Sequence, residues 1–337
     1  MQWYVRKGVK MKRLFSTDTD DGTITVIDAS DRELEVIEKI RVGNGPRGGV
    51  KFTRDGRGFV ANHAGNTISE IDAREMKEVG RIQVGVAPIG VAIVPGDEFA
   101  LVSIAGEDSV AIVHLAKRAR VHSVKVGREP RHPSVSPDGK HGYVPISGDD
   151  YIARIDLAPL ARGGVRVASM AESERLELGE GTTPYSFAIS PDGRYGVSAN
   201  NQAPFVTIVD LRTFRAAHRV EVGTKGARGA TFTPDSRRAF VSIEDSSELV
   251  VVDLESGRIE GRIATGPGPR GVLFDTDREV IYSAAFSRSS GWPIFKVNTL
   301  TVLSATPAAI AALGQRQPEH REVGVGAGPC SVTMFAQ

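Results

Sequence analysis

Short apolar runs alternate with turn-forming clusters along nearly the whole chain, and the alternation is periodic. The clearest unit runs from Gly223 to Gly266. Residues 230–232 and 239–242 are rich in strand formers and are joined by the turn Pro234-Asp235-Ser236. The polar stretch Glu244-Asp245-Ser246-Ser247 leads into a third run at 249–253, and Glu255-Ser256-Gly257 turns the chain into a fourth at 258–263. In that last run Ile259 and Ile263 bracket charged residues, the pattern of a half-wet outer strand, whereas the runs before it are apolar. One unit therefore predicts one four-stranded antiparallel sheet.

The glycines that open these units are Gly43, Gly85, Gly127, Gly179, Gly223, Gly266 and Gly326, spaced by 42, 42, 52, 44, 43 and 60 residues. Radial β-repeats use roughly 40 to 50 residues per blade. The last first-strand run, 330–335, has no successor, while 13–15, 23–28 and 35–42 have no first strand before them. Pairing the two ends removes the exposed edges of both. The expectation is an all-β, seven-bladed β-propeller of four-stranded antiparallel blades, closed by N- and C-terminal strands within one blade. Residues 1–12 read as a leader and 13–337 as one domain, with insertions near 157–178 and 287–322 that either cap a binding face or ornament the surface.

The first turns repeat as Thr53-Arg-Asp-Gly56, Ser136-Pro-Asp-Gly139 and Ser190-Pro-Asp-Gly193. Proline presets φ and glycine accepts positive φ, so these tetrapeptides are hairpin chemistry, not catalytic motifs. An acidic residue ends the third run at Asp28, Asp72, Asp156, Asp210 and Asp253. Its regularity predicts a cap on the following turn and argues against metal binding.

The 42 basic and 41 acidic side chains almost cancel, which removes the electrostatic case for a nucleic-acid partner and makes any charge argument local. The single cysteine, Cys330, excludes an intramolecular disulfide framework and a Cys-rich metal knuckle. The first residues carry basic side chains without an apolar stretch of secretory length, and no long apolar run occurs elsewhere. Cytoplasmic localisation without a membrane partner is the expectation, or a periplasmic or secreted location if the N-terminus is processed. No P-loop, nucleophile elbow or dinucleotide fingerprint appears, and no cofactor is assigned.

Pro88-Ile-Gly-Val91, Ser190-Pro-Asp-Gly-Arg194, Phe59-Val-Ala-Asn62 and Val206-Thr-Ile-Val-Asp210 resemble the YVTN-type bacterial and archaeal β-propeller repeat. The resemblance covers nearly the whole chain and implies the fold. It does not imply one function, because the repeat hosts sensors, binding proteins and enzymes. The third unit, from Pro130 through Tyr143 to Tyr151, also resembles the propeller of cytochrome cd1-type proteins. The absence of Cys-x-x-Cys-His excludes covalent c-haem.

In such a blade the turn entering the first strand and the loop joining the second and third strands share one face, at the channel mouth. Following the Pro-like position of each entry turn are Arg47, Ile89, Arg131, Tyr185, Arg228, Arg270 and Cys330. Arg47 is the least secure in register because Gly48-Gly49 adds a residue. Guanidinium forks suit carboxylates and phosphates, so Arg131, Arg228 and Arg270 are candidate clamps on an anionic small molecule. Alternatively, Asp149, Asp150, Glu244 or Asp245 neutralise them as ion pairs.

His132, His63 and Glu244 fall on the same face and form a candidate acid/base set. The histidines also read as ligands of an open metal site or as solvated loop residues, and no metal is assigned. Asn200 and Arg288 lie in the second-to-third-strand loops of blades 4 and 6 and complete the candidate ligand-binding set with Tyr185. Cys330 reads either as a reactive thiol or as a small buried hydrophobe. Two functions remain open. One is a lyase, isomerase or lactone hydrolase, a plan that propeller lactonases and antibiotic-cleaving lyases resemble, although no stretch matches their catalytic motifs. The other is a non-catalytic protein binding a partner peptide or a carboxylate-rich cofactor such as a tetrapyrrole.

Overall fold

The computed structural model describes residues 11–31, 33–160, 169–286, 298–313 and 315–337. They form seven four-stranded antiparallel sheets. The innermost strands of blades 1 to 7 are Pro46–Phe52, Pro88–Ile93, Ser134–Val135, Pro184–Ile189, Ala227–Phe232, Pro269–Asp275 and Pro329–Ala336. Second strands are buried on both faces, as in Phe99–Ile104. Outer strands such as Lys77–Gln83 alternate between exposed and covered positions, as their polar pattern requires.

One register recurs in all seven blades. The Pro-like residue of each entry turn pairs with the end of the second strand: Pro46 with Asn62, Pro88 with Ile104, Pro130 with Ile146, Pro184 with Asn200, Ala227 with Ile243, Pro269 with Ala285 and Pro329 with Asp18. A bulge or break follows in most blades, and in blade 1 it absorbs the extra glycine between Arg47 and Lys51. Blade 3 keeps only a two-residue inner ladder, because Pro130 and Pro133 have no N–H to donate.

The ring closes as expected. Pro329–Ala336 pairs with Lys12–Asp18, with Leu14 opposite Met334 and Phe15 opposite Thr333, and Thr23–Asp28 and Glu35–Arg41 complete that blade. The core lies between facing sheets. Leu101, Val110 and Ile112 of blade 2 pack on Val144, Ile146 and Ile155 of blade 3, and Phe52 sits 4.8 Å from Phe15 and 5.3 Å from Phe335 between ring centroids. Each such aliphatic side chain contributes roughly 1.5–3 kcal/mol.

The five recurring aspartates cap the next turn. Asp28 accepts from Ser30 N–H, Asp72 from Arg74 and Glu75, Asp156 from Ala158, Asp210 from Arg212 and Thr213, and Asp253 from Ser256. The segments read as insertions also carry strands. Glu172–Glu177 is the outer strand of blade 3, and Asn298–Ser304 and His320–Gly324 are the third and outer strands of blade 6, with the short helix Pro307–Ala311 between them. Charged residues had hidden those outer strands in the sequence. The first strand begins at Lys12, inside the segment read as a leader, most of which lies outside the described residues.

The end of the second strand carries Asn62 in blade 1, Asn200 in blade 4 and Asp18 in blade 7, all fully buried. Asn62 donates to Thr67 and Ser69, and Asn200 to Thr207. Asp18 accepts from the Ser16, Thr23 and Thr25 hydroxyls, yet burial still pushes it up from the ordinary 3.8 to about 6. Because the folded value is raised, the native state holds a proton that the unfolded chain has released, and stability falls as pH rises through that window. Asp18→Asn is therefore expected to stabilise the ring by about 1–3 kcal/mol at pH 7 and by much less at pH 4, read from denaturant melts at both.

Candidate functional site

A cavity of about 570 Å³ opens along the channel and is walled by residues from all seven innermost strands. Backbone hydrogen bonds put entry turns and second-to-third-strand loops together at its mouth. Examples are His63 N to Gly45 O at 2.9 Å, Ser147 N to Glu129 O at 3.2 Å and Glu244 N to Gly226 O at 2.8 Å. Serines of one blade hold the arginine-bearing backbone of the next: Ser186 Oγ donates to Arg228 O at 2.7 Å and Ser242 Oγ to Arg270 O at 2.6 Å. The guanidiniums thus project from a fixed main chain.

Four cationic side chains line the cavity, Arg47, Lys51, Arg228 and Arg270, and no carboxylate does among the described residues. Arg270 donates to Glu244 at 2.7 and 2.9 Å, and Arg228 donates to the other oxygen of the same carboxylate. Glu244 thus serves as the shared counter-ion of two arginines and is not part of the cavity wall, which places it apart from the acid/base role considered for it. Asp149 holds Arg128, and Asp150 accepts from the Gly181 and Thr183 N–H groups. The side chains of Arg47 and Lys51 have no hydrogen-bond or ion-pair partner among the described residues.

Tyr185 organises the blade 3 to blade 5 side of the mouth. The Arg228 guanidinium carbon stands 4.5 Å from its ring centroid and that of Arg131 5.6 Å, while His132 packs at 5.1 Å. Arg131 is paired with Glu129 at 3.1 Å, keeps a buried Nε without a partner, and is not a lining residue. Arg270 lies 3.6 Å from the Phe286 centroid.

His132 reaches the wall of the cavity because glycines make room for it. A Cβ at Gly90 would sit 2.9 Å from its Nδ1 and one at Gly48 3.1 Å away. Burial, and then the charges of Arg131, Lys51, Arg47 and Arg228, push its imidazole down to about 3, so it stays neutral across the physiological range. That value lies far from the near-neutral range expected of a proton shuttle. His63 is also lowered, by burial and then by Arg47, and its Nδ1 lies 3.3 Å from Pro88 O outside the cavity lining. Burial raises the Cys330 thiol, so the cavity does not hold it as a reactive thiolate.

Asn200 is fully buried within blade 4 and does not reach the cavity, which corrects its place in the ligand-binding set. Arg288 lies outside the described residues. Lys51 escaped the sequence reading. It occupies the position that pairs with Phe59, and the corresponding inner-strand residues are Ala92, Ser134, Ala188, Thr231, Leu273 and Thr333. A lone charge in that column was the available signal.

A family model for the YNCE-like beta-propeller matches residues 95–299. No curated protein matches the sequence. Among solved structures, a Bacteroides uniformis protein provisionally assigned as a 6-phosphogluconolactonase superposes with a TM-score of 0.79 at 15% identity, covering 97% of this chain and 100% of that one. The periplasmic gluconolactonase PpgL of Pseudomonas aeruginosa gives 0.74 at 18% identity, covering 96% and 99%. Kuenenia stuttgartiensis hydrazine synthase gives 0.71 at 19%, covering 88% and 97%. At these identities the likeness is one of fold.

Removing the shared carboxylate has two opposed consequences. Glu244→Ala leaves Arg228 and Arg270 facing each other unpaired and is expected to cost roughly 1–3 kcal/mol of stability in thermal or urea melts. The same variant frees both guanidiniums, so titration calorimetry should show small anions binding more tightly than to the parent protein.

Proposed function

The chain belongs to the YNCE-like β-propeller family, and on that footing we propose that its channel mouth binds a small organic anion. The observation that carries this reading is the wall itself: Arg47, Lys51, Arg228 and Arg270 line one cavity, and among the described residues Glu244, set behind two of them, is their counter-ion. Like charges gathered in a restricted space repel, and a carboxylate or phosphate between them relieves that repulsion while accepting bidentate hydrogen bonds.

The finer reading is hydrolysis of an acidic or phosphorylated sugar lactone, the compound class in the names of two of the neighbours. Guanidinium donors would bind the ring carbonyl and stabilise the oxyanion that forms when water adds to it. The neutral imidazole of His132 would take the proton from that water and return it to the departing ring oxygen, releasing the open-chain carboxylate. The depressed His132 value favours a second reading, a non-catalytic binding protein, because so weak a base transfers protons inefficiently.

Thermal-shift titration with gluconate, 6-phosphogluconate and inorganic phosphate tests the common element. All three should stabilise the protein, and Arg47→Ala should weaken binding about tenfold, near 1.4 kcal/mol, without lowering the melting temperature of the unliganded ring. Equal affinity in Arg47→Ala would remove the cavity from consideration. Acid release from gluconolactone separates the finer readings: hydrolysis that is lost in His132→Gln supports the enzyme, and none above the uncatalysed rate supports the binding protein.

A further inference from the structure

The anion site contains one cation that differs in kind from the rest. Lys51 is the penultimate residue of the blade 1 innermost strand, where its side chain is exposed to the lumen yet ringed by the inner strands. Among the described residues its ammonium makes no hydrogen bond or ion pair, and no carboxylate lines the cavity it enters. Lys12 of the closing blade, by contrast, is held by Asp275 at 2.5 Å. Lys51 shares its cavity with Arg47, Arg228 and Arg270 instead.

We propose that Lys51 is a nucleophilic lysine that forms an imine with a small aldehyde or keto compound carrying a carboxylate or phosphate. This rests on the anion-binding reading above, which supplies the hold on the charged end of the compound. A lysine is the one common cationic side chain that becomes a good nucleophile when its proton is removed, and arginine does not substitute for it. Enclosure by the surrounding inner strands limits hydration of an ammonium even where it faces the lumen, and so favours the neutral amine. Consistent with this, burial lowers the Lys51 ammonium from its ordinary value.

The chemistry balances without a redox partner. The amine lone pair adds to the carbonyl carbon, the carbonyl oxygen takes up the proton that the nitrogen loses, and the resulting carbinolamine expels water to give the imine. Arg47, which has no other partner among the described residues, is available to the carboxylate or phosphate of the same molecule. His132 lines the same cavity, so its neutral imidazole shares the lumen with the amine.

Glyoxylate with cyanoborohydride, followed by peptide mapping, tests the assignment in the intact protein. The expected result is reductive labelling of Lys51 at least about tenfold faster than of outer-surface lysines such as Lys140, suppressed by oxalate, which is anionic but has no aldehyde carbon for the amine to attack. Lys51→Arg should melt like the parent protein in the absence of ligand and lose the fast label. Labelling of Lys51 no faster than of Lys140, with the oxalate shift intact, overturns the imine and leaves the anion site standing. Absence of both the fast label and any shift from glyoxylate or oxalate overturns both.

Discussion

The common register between each innermost strand and the second strand of its blade is the constraint on which the rest depends. A slip of one residue would turn every lumen-facing side chain into the inter-blade core and bring core residues into the lumen. With the register held, the residues that pair with Phe59, Leu101, Tyr143, Val197, Phe240, Tyr282 and Phe15 form one ring, and those two places earlier form the next. The first ring contains Lys51 among neutral side chains. The second contains His132 among glycines and serines, and Gly90 shows why small neighbours are needed there.

The charge distribution follows from that geometry. A protein with a formal net charge of +1 still produces a strongly positive cavity, because residues far apart in the chain are brought to one axis while most carboxylates stay on turns and outer strands. Glu244 moderates this without cancelling it. One carboxylate set between two guanidiniums holds them at a fixed separation and leaves a net positive charge on that group. Tyr185 performs a related service for Arg131 and Arg228 through the face of its ring. Burial first, and this field after it, make His132 a poor proton acceptor.

The period, the hairpin turns and the capping aspartates were legible in the sequence because each depends on residues close together in the chain. Asp28, Asp72, Asp156, Asp210 and Asp253 bond within three residues of themselves, so spacing alone identifies them. Ring closure was legible too, because unmatched half-blades at the two ends leave one pairing open. Long-range choices were not. Which acid meets which arginine depends on side-chain reach between blades, and Glu244 and Asp149 look alike until their partners are placed. Asn200 is a polar residue beside a loop in the sequence but a buried hydrogen-bond partner in the sheet. Lys51 was passed over because it lies inside a strand read as part of an apolar wall.

The closing pair Lys12 and Ala336 joins positions separated by 324 residues, the difference of their numbers, whereas every other blade is assembled from neighbours along the chain. Contacts of such separation carry a loop-closure entropy that local hairpins do not. Assembly is therefore ordered in time: six sheets can form from nearby segments, and the seventh waits for the extremities to meet. Once they have met, Lys12–Asp18 is paired along both of its edges and no longer offers one from which unzipping can start. The seam thus acts as a latch, since the last-formed blade has to give up a ladder between the two chain ends before the ring can open there.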